Sequence, residues 1–168
     1  MINKIIHFSD LHLRLFKEHS RYREVLTECF KQWREIKPDR IVFTGDLVHS
    51  KNQMTPELLE IVSWVLIECE SICPVIVLIG NHDFLENNQD RLDTLSPIID
   101  NLNKPNITYF KHKGCYEDDN VLWCVYSLME ENERPTIPTT SEKHKIGLFH
   151  GPIEGSKTDL GFMFDSGY

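Results

Sequence analysis

The 168-residue sequence predicts an α/β fold: a central, mostly parallel sheet flanked by helices, opened by a βαβαβ unit, with extra strands after residue 105. Two observations predict it. Short apolar runs of strand length alternate with longer stretches whose apolar residues recur at helical spacing. Prolines at positions 38 and 74 mark where a helical stretch must stop or a strand begins.

Taken in order, Lys4 to Phe8 reads as the first strand. Tyr22, Val25, Leu26, Cys29, Phe30, Trp33 and Ile36 then fall on one helical stripe, which Pro38 ends. Arg40 to Thr44 is the second strand, and Thr55 with Pro56 supplies an N-cap and first-turn proline for a helix through Glu70. Pro74 opens the third strand, VIVLI. A polar loop, LENNQD, leads to a helix from about Arg91 to Leu102, and Ile107 to Phe110, Val121 to Tyr126 and Lys145 to Phe149 read as further strands. The segment EENERPTIPTTSEKH, rich in Glu, Pro and Thr, is expected to be an exposed loop or lid. Parallel order predicts right-handed crossovers and puts the strand C-termini along one edge.

The length suits a single domain spanning 1–168, and the hydrophobic fraction of 40% is enough for a core. No apolar run approaches the ~18 to 20 residues of a membrane span, so an intracellular protein is expected. Five cysteines without a C-x-x-C pair argue for reduced thiols rather than a disulfide framework or zinc–thiolate site. The formal charge of −8 argues against a uniformly basic nucleic-acid surface. It leaves open phosphate substrates held through cations.

Chemistry gathers where strands end. HFSDLH carries Asp10 and His12, FTGDLVH carries Asp46 and His49, IGNHD carries Asn81, His82 and Asp83, and IGLFHG adds His150 in the same manner. Open α/β sheets bind ligands beyond the carboxyl ends of their strands, so these groups are expected to converge. Mixed carboxylate, imidazole and amide donors suit Mn, Fe or Zn better than Ca or Mg. Each motif alone has a plain structural explanation: Asp caps turns, and Asn and Asp tolerate unusual backbone angles. Their recurrence in order at strand ends is what favours a site.

The series D-x-H, G-D, G-N-H-D and H-G resembles the calcineurin-like metallophosphoesterases, over about Ile5 to His150. GDLVHS further resembles the SbcD-type DNA break-repair exonuclease subunits, and NNQDRLDTLSPII more weakly the viral and phage members of that group. The resemblance implies Asp10 and His12 on one of two divalent ions, most readily Mn, with Asn81 and His150 on the other and Asp46 bridging. It implies His82 beside the scissile phosphate, with His49 positioning the strand or assisting the leaving group. Asp83 is read as orienting a neighbouring partner in preference to binding metal. The resemblance also implies DNA as substrate, an SMC-like coiled-coil ATPase of the SbcC type as partner, and a homodimer. The helix containing Trp64 is apolar enough to contribute an interface, and core packing against the sheet explains it equally well. The family's closing G-H-x-H is absent, which leads us to expect a C-terminally incomplete domain lacking the second half of the family's two-sheet sandwich. Alternatives are a phosphatase or cyclic-nucleotide phosphodiesterase of the same fold, or a scaffold with an incomplete metal site.

Overall fold

The computed structural model describes residues 1–14, 16–50, 54–85, 92–130, 133–158 and 160–164. Four strands, β1 (Ile5–Phe8), β2 (Arg40–Thr44), β3 (Val75–Leu78) and β4 (Ile107–Phe110), form a parallel sheet in the order β1-β2-β3-β4. Helices α1 (His19–Ile36), α2 (Pro56–Glu70) and α3 (Ser96–Leu102) connect them. A second sheet, β5 (Gly114–Asp118), β6 (Val121–Tyr126) and β7 (His144–Phe149), has β6 in its centre, antiparallel to β5 and parallel to β7.

The alternation of each strand decides which layer its side chains join. Ile41, Phe43, Val75, Val77 and Ile107 face one way and pack with Leu26, Phe30, Leu58, Ile61, Val62, Val65 and Ile98 of the helices. Val42, Ile76, Leu78 and Phe110 face the other way and pack with Val121, Trp123, Val125 and Leu148 of the second sheet. Helices therefore cover one face of the parallel sheet and a second sheet the other. Both faces being buried explains why β2 and β3 read as unbroken apolar runs, and each buried Leu, Ile or Phe contributes about 1.5–3 kcal/mol.

The strands expected after residue 105 include those of a second sheet, which lies on the face of the parallel sheet that the helices do not cover. The α/β expectation holds, with three corrections. The α1 stripe is narrower than its spacing suggests: Leu26 and Phe30 are buried, whereas Val25 and Ile36 are 54% and 46% exposed. Strand β5 was not foreseen, since GCYED offers no apolar alternation; its pairing with β6 creates it. The helix expected from about Arg91 begins at Ser96, and Arg91 lies outside the described residues, as do 86–90 of the loop before it. Asp93 sets that start by accepting from the backbone N–H groups of Leu95 and Ser96 at 3.0 and 2.7 Å.

Thr55 caps α2 as expected, its hydroxyl accepting from the Leu58 N–H at 3.2 Å. Trp64 packs edge-on against Phe30 at 5.4 Å and lies under the Arg23 guanidinium, 4.6 Å from the ring centroid. That ring joins α1 to α2 within the chain. The described part of the expected lid, residues 133–143, has no helix or strand and runs from a short 3-10 turn at Leu128–Glu130 into β7.

Candidate metal centre

Beyond β1 and β2 the two segments that follow them stay in register as loops. The Asp10 N–H donates to the Gly45 carbonyl (3.1 Å), that of His12 to the Asp46 carbonyl (3.0 Å) and that of Leu13 to the Leu47 carbonyl (2.9 Å). Asp10, His12 and Asp46 all hold left-handed backbone, with φ of 57°, 46° and 60°. Non-glycine residues rarely do so, and a cluster of three marks a place where the fold holds side chains in a demanding arrangement. The turn aims all three side chains at one point.

That point is the Asp46 carboxylate, which is buried. Its Oδ2 lies 3.3 Å from His150 Nε2, 3.6 Å from His12 Nε2 and 4.0 Å from His82 Nε2. Asp10 Oδ1 lies 3.6 Å from the same His12 nitrogen, and Asn81 Oδ1 lies 3.1 Å from His150 Nε2. His49 completes the cluster, its ring stacked on that of His82 at 5.6 Å and edge-on to that of His12 at 5.7 Å. Every residue the sequence nominated is thus brought together. His150 arrives by another route than expected, from the end of β7 in the second sheet, while β4, the fourth strand of the parallel sheet, supplies none of them.

Two imidazoles are oriented by backbone carbonyls. His82 Nδ1 donates to the His49 carbonyl at 2.7 Å, and His150 Nδ1 to the Thr44 carbonyl at 2.7 Å. Each bond assigns the proton to Nδ1 and turns Nε2 toward Asp46, as in histidines that bind a metal through one nitrogen while the other donates to a backbone carbonyl. In that neutral form His150 Nε2 presents a lone pair to two oxygens, from Asp46 and Asn81, so the contact requires a positive charge, either a proton or a cation. His12 makes the same point differently: its Nδ1 is buried without a hydrogen-bond partner among the described residues, while Nε2 faces two carboxylates. Asp10, His12 and Asp46, and likewise His12, His49 and His82, present one donor atom each within 4.8 Å of one another. This oxygen and nitrogen donor set fits divalent transition-metal ions.

Electrostatics agree with that demand. Burial pushes the Asp46 carboxyl up, but the bond from His150 and the His82 N–H, which donates to Oδ1 at 2.9 Å, outweigh it and hold the pKa below the ordinary carboxylate range. Burial lowers the His150 pKa, yet the Asp46 carboxylate overcomes it and the net direction is upward. His49 is lowered, by desolvation first and then by Arg14 and the other imidazoles.

Asp83 was expected to support a neighbour, and its geometry does so. Its Oδ2 accepts from the Gly80 N–H at 2.9 Å and the Asp46 N–H at 3.1 Å, and Oδ1 faces the Val48 N–H at 3.5 Å. The carboxylate thereby ties the GNHD turn to the GDLVH turn. Burial raises its pKa to about 7, against the pull of those N–H groups, with the Asp46 charge adding to the rise. Asp83→Ala should cost about 2–4 kcal/mol of stability, since buried backbone donors lose their acceptor. A carboxyl whose folded pKa is raised keeps its proton longer in the native state. Its contribution is therefore largest below the unfolded value of 3.8 and falls as pH rises toward 7. Denaturant titrations of the metal-free proteins should show the gap between wild type and Asp83→Ala narrowing over that interval, and a gap that widens would contradict this role.

Sequence reasoning missed one support: Tyr22, assigned to the core stripe, also donates its hydroxyl to the His12 carbonyl at 3.2 Å, which is not visible without the fold. Gly80, placed where the chain must turn tightly after its strand, packs against Asp46 so closely that a Cβ there would collide with the Asp46 amide and carboxylate.

Comparison with known proteins agrees with the geometry. The sequence profile of the calcineurin-like phosphoesterases matches residues 3–164. An uncharacterized protein of Acanthamoeba polyphaga mimivirus is 38% identical over 178 aligned positions, which cover 98% of this chain and 13% of the viral protein. The chain spans a small part of the length of that relative.

Proposed function

Because the chain belongs to the calcineurin-like phosphoesterase family, we propose that the cluster around Asp46 is the metal centre of a phosphodiester hydrolase that acts on DNA. The observation that carries this is one buried carboxylate with three imidazole nitrogens within 4.0 Å. Asp10, His12 and Asp46 would hold one divalent ion and Asp46, Asn81 and His150 a second, with Mn favoured by the mixed donors. Such ions, when bound, supply the positive charge that neutralises a phosphate and activates water.

The remaining groups are the chain's own. His82, its Nδ1 fixed on the His49 carbonyl, presents Nε2 at the edge of the centre, where it can stabilise developing charge or carry a proton to the leaving oxygen. His49 is exposed and stacked on His82, placed to contact the strand beyond the scissile bond. The GDLVH loop supports DNA over a small phosphate ester, because a histidine three residues after the bridging Asp is the feature shared with the SbcD-type exonucleases. On that resemblance, an SMC-like coiled-coil ATPase of the SbcC type and a second copy of the chain are proposed partners, and an intracellular location follows. Among the described residues no helix is long and apolar enough to cross a membrane.

The full-length protein should release nucleotides from duplex DNA ends with Mn present and turn over p-nitrophenyl phosphate far more slowly. The reverse preference would favour the phosphatase alternative, which the charge of −8 supports. His82→Ala should lower kcat about 10²–10⁴-fold. Calorimetry should show Mn binding retained; undiminished turnover would remove His82 from the chemistry.

A further inference from the structure

Away from the metal centre, Cys115 on β5 and Cys124 on β6 are directly opposed in antiparallel register. Their sulfurs lie 3.8 Å apart. Directly opposed residues of an antiparallel pair have Cα atoms about 4.5–5.5 Å apart, within the span a disulfide bridges without moving the backbone. The two thiols share the sheet face turned away from Val121, Trp123 and Val125, which pack inward. Cys124 is buried and Cys115 half-buried, its thiol donating to the Thr136 carbonyl at 3.5 Å. One thiol is thus reachable from solvent and the other is held behind it, the arrangement of an attacked and a resolving cysteine.

We infer that Cys115 and Cys124 form a redox modification site, a thiol pair that peroxide closes into a cross-strand disulfide. The Cys115 thiolate attacks the peroxide oxygen, giving a sulfenic acid and releasing water after protonation. The Cys124 sulfur then attacks the Cys115 sulfur and expels a second water. Two thiols and one hydrogen peroxide become one disulfide and two waters. Burial holds Cys69 and Cys73 well above the ordinary thiol range, Cys73 at about 11, and it raises Cys124 as well, so the first encounter with peroxide falls to the solvent-reachable Cys115. Closing the bond removes the Cys115 donor from Thr136. The site therefore couples the hairpin to residues 133–143, which lead into β7 and His150.

The test is peptide mapping of the full protein treated with hydrogen peroxide and then alkylated. No Lys or Arg lies between Cys115 and Cys124, so tryptic digestion keeps both on one peptide, and cleavage after Glu117 separates them unless a disulfide joins them. The expected result is a dithiothreitol-reversible link between these two halves, with Cys29, Cys69 and Cys73 still alkylated. Cys124→Ser should block the link and raise dimedone trapping of sulfenic acid at Cys115 several-fold. Amide exchange over 133–143 should rise several-fold on oxidation of the wild type and not of Cys124→Ser. A link between Cys69 and Cys73 formed in preference, an intermolecular disulfide at Cys115, or its overoxidation with Cys124 present would each overturn the inference. Because no outcome depends on phosphodiester hydrolysis, the pair and the metal centre are tested independently.

Discussion

Gly80→Ala is expected to lose both Mn binding and most of the stability of the parallel-sheet edge, although it adds one methyl group. The added Cβ would meet the Asp46 amide and carboxylate oxygen, and the Gly45 carbonyl carbon at 2.9 Å. Backbone cannot give way there, because the Asp46 N–H is already bonded to Asp83 and its carbonyl to the His12 N–H. Overpacking against fixed atoms costs about 3 kcal/mol or more, a large share of a domain's stability of roughly 5–15 kcal/mol. Any relaxation would move Asp46 away from the imidazoles it collects. Gly147→Ala is the control: it sits on β7, and its Cβ would make ordinary contact with the Tyr126 ring at 3.8 Å. Urea unfolding and Mn titration of both variants decide the matter. If Gly80→Ala binds Mn as tightly as Gly147→Ala, the close packing of the two turns is not what positions Asp46.

That packing also shows which parts of the molecule a sequence can announce. The parallel strands and long helices were legible because burial on both sheet faces, or on one helix face, writes itself as apolar period. So was the convergence of polar side chains, since Asp, His and Asn recur after strands where side chains must leave the core. Strand β5 was illegible because GCYED becomes a strand only through its partner β6. The route of His150 was illegible for a similar reason: a strand's own residues do not say which sheet it joins. Val25 and Ile36 misled because spacing fixes a direction around a helix but not how wide a stripe the neighbouring elements cover. The left-handed backbone of Asp10, His12 and Asp46 lay beyond reach too, since those residue types tolerate that conformation without requiring it. The tail at 165–168, and residue 159 within DLGFMFDSGY, lie outside the described residues.

Asp46→Asn tests the centre itself with almost no change of shape. The amide oxygen can keep the bond from the His82 N–H, so the turn should survive. What disappears is the negative charge facing His12, His82 and His150. Under the proposed function Asp46 would hold both ions, and its loss would remove several kcal/mol of electrostatic stabilisation, which corresponds to about a thousandfold or greater loss of hydrolysis. Calorimetry should show weaker Mn binding in parallel. A second consequence needs no metal. In the metal-free protein the Asp46 carboxylate raises His150 above its ordinary value of 6.5, overcoming burial, and is itself held below 3.8. A depressed carboxylate stabilises the fold above its unfolded value and loses that contribution as pH falls through its folded one. A raised imidazole does so below its unfolded value and loses it as pH climbs through its folded one. Both contributions are therefore present between 3.8 and 6.5, and the cost of Asp46→Asn to the metal-free protein should be greatest in that window and shrink above it. NMR titration should show the His150 resonance shifting at lower pH in the variant, because burial then acts without its opponent. An unchanged His150 titration would mean that another group holds its proton, and the geometry around Asp46 would have to be assigned a different role.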